Sequence, residues 1–288
     1  MKVIATLNFK GGVGKTTVTW LLARYAAQKE GKKVLVIDAD PQMSLTTAVT
    51  IEQENGLPDV RFDDWQKESL RDEKTILRAL KDYAANPGKA VPFGFNVDSH
   101  FIYQRAGNLY LLPSVEELYW FGLEPVDTQS LRGFVPALLH AIDEAQGLPK
   151  FEYCFVDCPP AFNALSFSVV CCTDLVVIPV NADVFASKGV RIMLRGLKPR
   201  VKPLPKFCVF VNDVRPYRGN LPAFARRYLD DVTYVCQVER DVGVQVEVLR
   251  DFFVPTRAGI RDAMIHTLPA DLEEYFAGLW KRVKKTLG

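Results

Sequence analysis

Between Asn8 and Thr17 the chain reads Asn-Phe-Lys-Gly-Gly-Val-Gly-Lys-Thr-Thr, two lysines with three glycines between them. A glycine-rich turn lets successive backbone N–H groups converge on one concavity, which suits a polyphosphate. Lys10, Gly11, Gly12, Val13, Gly14, Lys15, Thr16 and Thr17 form the candidate nucleotide-binding set. In such a loop Lys15 reaches the β- and γ-phosphates, and the Thr16 hydroxyl ligates Mg²⁺. The ordinary phosphate-loop pattern places a glycine five positions before Gly14. This chain has Phe9 there and gains Lys10, a second cation at the loop's entrance.

Acids at the ends of apolar runs extend the chemistry. Asp38-Ala39-Asp40-Pro41-Gln42 closes one run, and Asp157-Cys158-Pro159-Pro160 closes another. A strand-terminal Asp beside a phosphate loop is the usual outer-shell holder of Mg²⁺, and Asp157 fits that role. Asp38 and Asp40 sit two apart, so both face one crevice if the backbone leaves the strand there. One would orient the waters of Mg²⁺ and the other the attacking water. The candidate metal set is therefore Thr16, Asp38 and Asp157. Turn or helix capping is the competing role for a strand-end Asp. Three such acids in one nucleotide fold favour the chemical role.

The elements that must position these groups alternate. Apolar runs at Lys2–Leu7, Lys33–Asp38, Leu109–Leu112, Phe151–Asp157, Leu175–Val180 and Phe207–Asn212 predict buried strands, with Val232–Val238 as a last one. Val18–Gln28, Phe134–Ala145, Ala161–Cys172, Ala186–Leu197, Leu221–Leu229 and Pro269–Leu287 predict helices. Strands alternating with helices predict a doubly wound, mostly parallel α/β sheet with helices on both faces. Ligands of such a sheet bind at the carboxyl ends of the strands. The reading is one domain over 1–288, with an insertion at about 52–107 that carries a helix near Thr75–Ala85.

Bulk properties narrow the class. The chain has 288 residues, 48% hydrophobic and 24% charged, the profile of an ordinary globule. No apolar run approaches the roughly 20 residues of a membrane span. The glycine motif begins almost at the N-terminus, so no signal peptide is expected. The six cysteines form no Cys-x-x-Cys pair, which argues against zinc ribbons and paired cluster ligands and predicts a reducing cytoplasm. Net charge is only +2, yet from Lys188 to Arg227 eleven Lys or Arg face Asp213 alone. That asymmetry is either a solvated helical face or the footprint of a polyanion.

At this point the chain resembles the ParA/MinD family of deviant Walker ATPases. The resemblance rests on Lys10–Thr17, the Asp-x-Asp-Pro-Gln segment and the Asp157 strand, with weaker similarity at Leu109–Ser114 and Asn212–Arg215. It implies ATP and Mg²⁺ as cofactors, and an ATP-driven sandwich homodimer. It makes Lys10 the signature lysine that reaches the partner's phosphates, with Lys15 and Thr16 on phosphate and Mg²⁺. Asp40 serves the catalytic water, Asp157 takes the Walker-B role, and Asn212 contacts adenine. The catalytic set is thus Lys10, Lys15 and Asp40. A lysine supplied in trans acts like an arginine finger.

Asp-Pro-Gln resembles the ParA branch, and Asn212–Leu229 resembles the ParA region that binds DNA without sequence preference. Lys188, Arg191, Arg195, Arg215, Arg218, Arg226 and Arg227 are the candidate DNA contacts; such phosphate contacts are salt-sensitive and sequence-independent. The expectation is a cytoplasmic, nucleoid-associated partition or positioning ATPase stimulated by a ParB-type adaptor. Two rivals remain. One is a MinD-like membrane cycle using the amphipathic, basic-ended Leu272–Leu287 helix, whose apolar stripe is otherwise what a closing helix packs on a sheet. The other is a metabolic member of the same nucleotide fold.

Overall fold

The apolar runs and their acidic ends become the centre of a single sheet. The computed structural model describes residues 1–50, 75–85, 103–104, 108–121, 129–145, 147–256, 260 and 270–288. Its strands are β1 (Lys2–Thr6), β2 (Val34–Asp38), β3 (Tyr103–Gln104), β4 (Leu109–Leu112), β5 (Tyr153–Asp157), β6 (Leu175–Val180), β7 (Lys206–Val214) and β8 (Val246–Pro255). They lie in the order β3-β4-β2-β5-β1-β6-β7-β8. Among the described residues only the short β3 runs antiparallel to its neighbouring strand; the other strand pairings are parallel. The central strands are buried on both faces, which is why they read as continuous apolar runs.

The pleat sends alternate residues to two cores. Val3, Ala5, Leu35, Ile37, Val156 and Val176 face one; Ile4, Val34, Val36, Phe155 and Val177 face the other. The helices are α1 (Lys15–Gln28), α2 (Ser44–Thr50), α3 (Ile76–Ala85), α4 (Leu118–Phe121), α5 (Phe134–Glu144), α6 (Ala164–Cys171), α7 (Ala186–Leu197), α8 (Ala223–Asp241) and α9 (Ala270–Leu287). Helices α3, α5, α6, α7 and α8 fill the first core; α1, α2 and α9 fill the second. The doubly wound α/β reading is therefore what the chain adopts.

Two expectations are corrected. Val232–Val238 is the middle of α8, not a strand. Ala225, Leu229, Val232, Val235, Cys236 and Glu239 are its buried positions, most of them three or four apart. The last strand is β8, whose exposed Arg250 and Asp251 interrupt its apolar pattern. Helix α6 starts three residues later than Ala161, because Asn163 caps it by accepting from Ser166 N at 2.9 Å. Within the 52–107 segment, α3 lies near its expected place and buries Ile76, Leu77, Leu80 and Tyr83 in the first core. Most of the remaining segment lies outside the described residues.

The C-terminal helix takes the packing role. Phe276, Leu279, Trp280 and Val283 are at most 1% exposed. Trp280 meets Tyr153 and Phe155 at ring-centroid distances of 5.0 and 5.7 Å. A membrane-binding stripe on α9 would first have to leave this core. Among the described residues, no helix is long and apolar enough to cross a membrane.

Candidate functional site

The loop after β1 turns sharply into α1, with Gly12 at φ 71° and Gly14 at φ 83°. Both values are easy for glycine and strained for other residues. Gly14 caps α1 without a side chain, and no acid occupies the helix's first turn. The first amides of α1 therefore receive no cap from the residue at Gly14, and they lie at the positive end of the helix dipole. A Cβ built on Gly11 or Gly12 meets nothing within 4 Å, so the concavity above them is open. Lys15 is 7% exposed, and its ammonium donates to the Lys10 carbonyl at 3.3 Å. Burial pulls its pKa down, opposed by Asp157 and Asp40. A desolvated ammonium beside open amides is suited to phosphate.

The three acids converge at the carboxyl edge. Asp38 and Asp157 are register partners on adjacent strands, and both are fully buried. Asp157 accepts from the Thr16 hydroxyl at 2.6 Å and lies 3.3 Å from the Thr19 hydroxyl. Asp38 accepts from Thr46 N and Thr46 Oγ1, both at 2.8 Å, and from Asp40 N at 3.0 Å. Its carboxylate thus ties α2 to the turn that presents Asp40, the capping role weighed against metal binding. Asp40 is 7% exposed and accepts from Gln42 N at 2.9 Å. Burial raises the pKa of all three: Asp38 to about 7, Asp40 upward, and Asp157 well upward with Asp38 adding to the effect.

Two candidates sit in unexpected company. Lys10 is ion-paired within its own chain to Asp183, in the loop after β6. Asn212 is 6% exposed and donates from Nδ2 to the Val13 carbonyl at 2.8 Å, which places it against the loop. Thr19, Thr46 and Asp183 escaped the sequence reading. Thr19 follows Thr16 by three positions and so shares its helix face, a usable signal. Asp183 closely follows a strand end, as the other acids do. Thr46 reaches Asp38 only through the fold.

The basic stretch divides between the two ends of the sheet. Lys188 and Arg191 lie early on α7, Arg215 and Arg218 on the loop after β7, and Arg226 and Arg227 at the start of α8; all six are exposed. The topology gathers them at the carboxyl end, with the Arg218 guanidinium 5.5 Å from the centroid of the exposed Tyr217 ring. Arg195 is committed elsewhere: its Nε donates to buried Glu239 at 2.8 Å, joining α7 to α8. Lys198, Arg200, Lys202 and Lys206 fall at the opposite end.

These residues fit a Mg²⁺-bound triphosphate. The amides and Lys15 supply the anion cradle, and the Thr6 hydroxyl is buried at the site's edge without a protein partner. Among the described residues no group of three or more His, Cys, Asp or Glu forms a ready cage. An ion here would be held by the Thr16 hydroxyl, one or two carboxylates and the phosphates themselves.

Comparison with known proteins agrees with this geometry. The family described as AAA domain (AAA_31) matches residues 1–203. An uncharacterised Mycobacterium tuberculosis protein is 29% identical over 67% of this chain and 50% of its own length. The sporulation initiation inhibitor protein Soj of Bacillus subtilis is 28% identical over 68% of this chain and 65% of its own. The maintenance of carboxysome distribution protein A of Gloeothece citriformis is 30% identical over 74% and 68%. The chain thus spans half the length of the first of these relatives. Among solved structures, a Cyanothece McdA–ATP complex superposes with TM-score 0.69 at 21% identity, covering 100% of this chain and 96% of that one. The pNOB8 ParA bound to nonspecific DNA gives 0.68 at 21%, covering 99% and 98%. At these identities the two structures speak for the fold.

Proposed function

The chain belongs to the ParA/MinD family of P-loop ATPases, and from that premise we propose that it binds and hydrolyses ATP to switch between a monomer and a DNA-bound homodimer. The observation that carries the reading is the Thr16–Asp157 hydrogen bond of 2.6 Å under an open glycine loop. It joins the hydroxyl suited to Mg²⁺ to the carboxylate suited to hold that ion's water. When bound, Mg²⁺ supplies positive charge to the phosphate oxygens. Lys15 and the loop amides bind and orient the triphosphate. Asp40, held by Asp38 and by its own contact with Gln42, positions the attacking water. Lys10 of a second copy crosses to the phosphates and stabilises charge in the transition state. Asn212 lies against the loop through its hydrogen bond to the Val13 carbonyl.

The exposed arginines at the carboxyl end supply a sequence-independent hold on DNA phosphates. The solved pNOB8 ParA complex with nonspecific DNA supports that choice of matrix. The relative called maintenance of carboxysome distribution protein A supports a positioning task; in this reading a ParB-type adaptor stimulates hydrolysis, and the protein works in the cytoplasm on the nucleoid. Lys15→Ala tests the core of the reading: ATP affinity falls at least 100-fold in a protein with unchanged circular dichroism. Retained affinity would remove the phosphate-loop assignment.

A further inference from the structure

We propose that Asn212 is a positioning residue for the phosphate loop: by holding the Val13 carbonyl it aims the Gly14 amide at bound phosphate. The inference rests on the ATP-binding reading above and assigns Asn212 a task distinct from contact with the base.

The pairing of β7 with β8 slips between Val209 and Val211 and again between Val211 and Val214. Asp213 sits at φ 55°, in the left-handed region. Irregularities of this kind re-aim a side chain at a strand end. Here the re-aimed side chain is Asn212, carried under the loop and buried. One amide hydrogen goes to the Val13 carbonyl at 2.8 Å.

A trans peptide fixes the consequence. Its C=O and N–H point in opposite directions. The Val13 carbonyl and the Gly14 N–H belong to one peptide unit. Drawing the carbonyl toward β7 turns the N–H away from β7, to the side where the loop is open above Gly11 and Gly12. The same contact explains the glycine at position 14. A Cβ there would strike Asn212 Nδ2, and φ 83° already favours glycine. The end of β7 and the loop are thus fitted to each other.

The test uses Asn212→Asp, which keeps the shape and replaces the donor with an anion facing the carbonyl. The probes are MgATP and MgITP, which differ at the base's amino group and share the triphosphate. Binding of both weakens by a similar factor, about tenfold or more. Equal affinity of variant and wild type for MgATP overturns the proposal. A loss confined to MgATP also overturns it, since that pattern belongs to a base contact. If Asn212→Asp does not fold, Asn212→Ser, too short to reach Val13, is read by the same criterion. Failure of the wild type to bind MgATP would strike the functional reading instead, which keeps the two failures apart.

Discussion

Lys10, at the mouth of the glycine loop, is ion-paired to Asp183 of its own chain, 173 residues away. The lysine that the family resemblance sends across a dimer is therefore held at home. The pair is part-exposed, with side chains 43% and 30% accessible. Such pairs are worth about 1 kcal/mol or less, so a triphosphate on a facing copy competes with ease. Lys10→Ala is expected to keep ATP affinity within about threefold while dimerisation with ATP and turnover are lost. Equilibrium binding and sedimentation measure the two halves. A variant that dimerises normally removes Lys10 from the switch.

Asp40, in the proposed function, separates binding from hydrolysis. It contributes no cradle donor, and its position is set by Asp38 and the Gln42 amide. Asp40→Ala is expected to bind ATP and dimerise as the wild type does, while turnover drops by about 10²-fold or more. Phosphate release under saturating ATP is the measurement. Turnover within a factor of two of wild type would end the assignment.

The buried Asp38 carries a pH signature. Its folded pKa is about 7, against about 3.9 in an unfolded chain. Between these values the folded state holds the extra proton, so stability falls as pH rises. The nucleotide-free protein in chelator should lose roughly 1 kcal/mol per pH unit from this group between pH 5 and 7. Asp38→Asn, which carries no titrating proton, should flatten the dependence of Tm on pH. A slope identical in wild type and variant would show that Asp38 is ionised throughout.

Much of this site was legible from residue order. Glycine, lysine and threonine spacing is local, and so are acids closing apolar runs; the fold only had to bring those ends together. What escaped depends on contacts between distant segments. Nothing around Thr46 announces that it serves Asp38, and nothing around Asn212 announces Val13. The strand β8 was hidden by Arg250 and Asp251, because an edge strand tolerates charge that a central one does not. The basic stretch looked like one footprint in sequence. Because β7 spans the sheet between its two halves, it became two surfaces, and Arg195 was drawn into an ion pair with Glu239.

On the proposed function, ATP makes a dimer that holds DNA through the carboxyl-end arginines. The most direct measurement is binding to random-sequence duplex DNA with and without ATP over a salt series, for the wild type and for a variant with Arg215, Arg218 and Arg227 changed to Glu. The expected result is tight binding with ATP only, a steep loss with salt, and a variant that dimerises but binds DNA weakly with a shallower salt slope. DNA affinity that is unchanged by ATP, or unchanged by the three reversals, would contradict it.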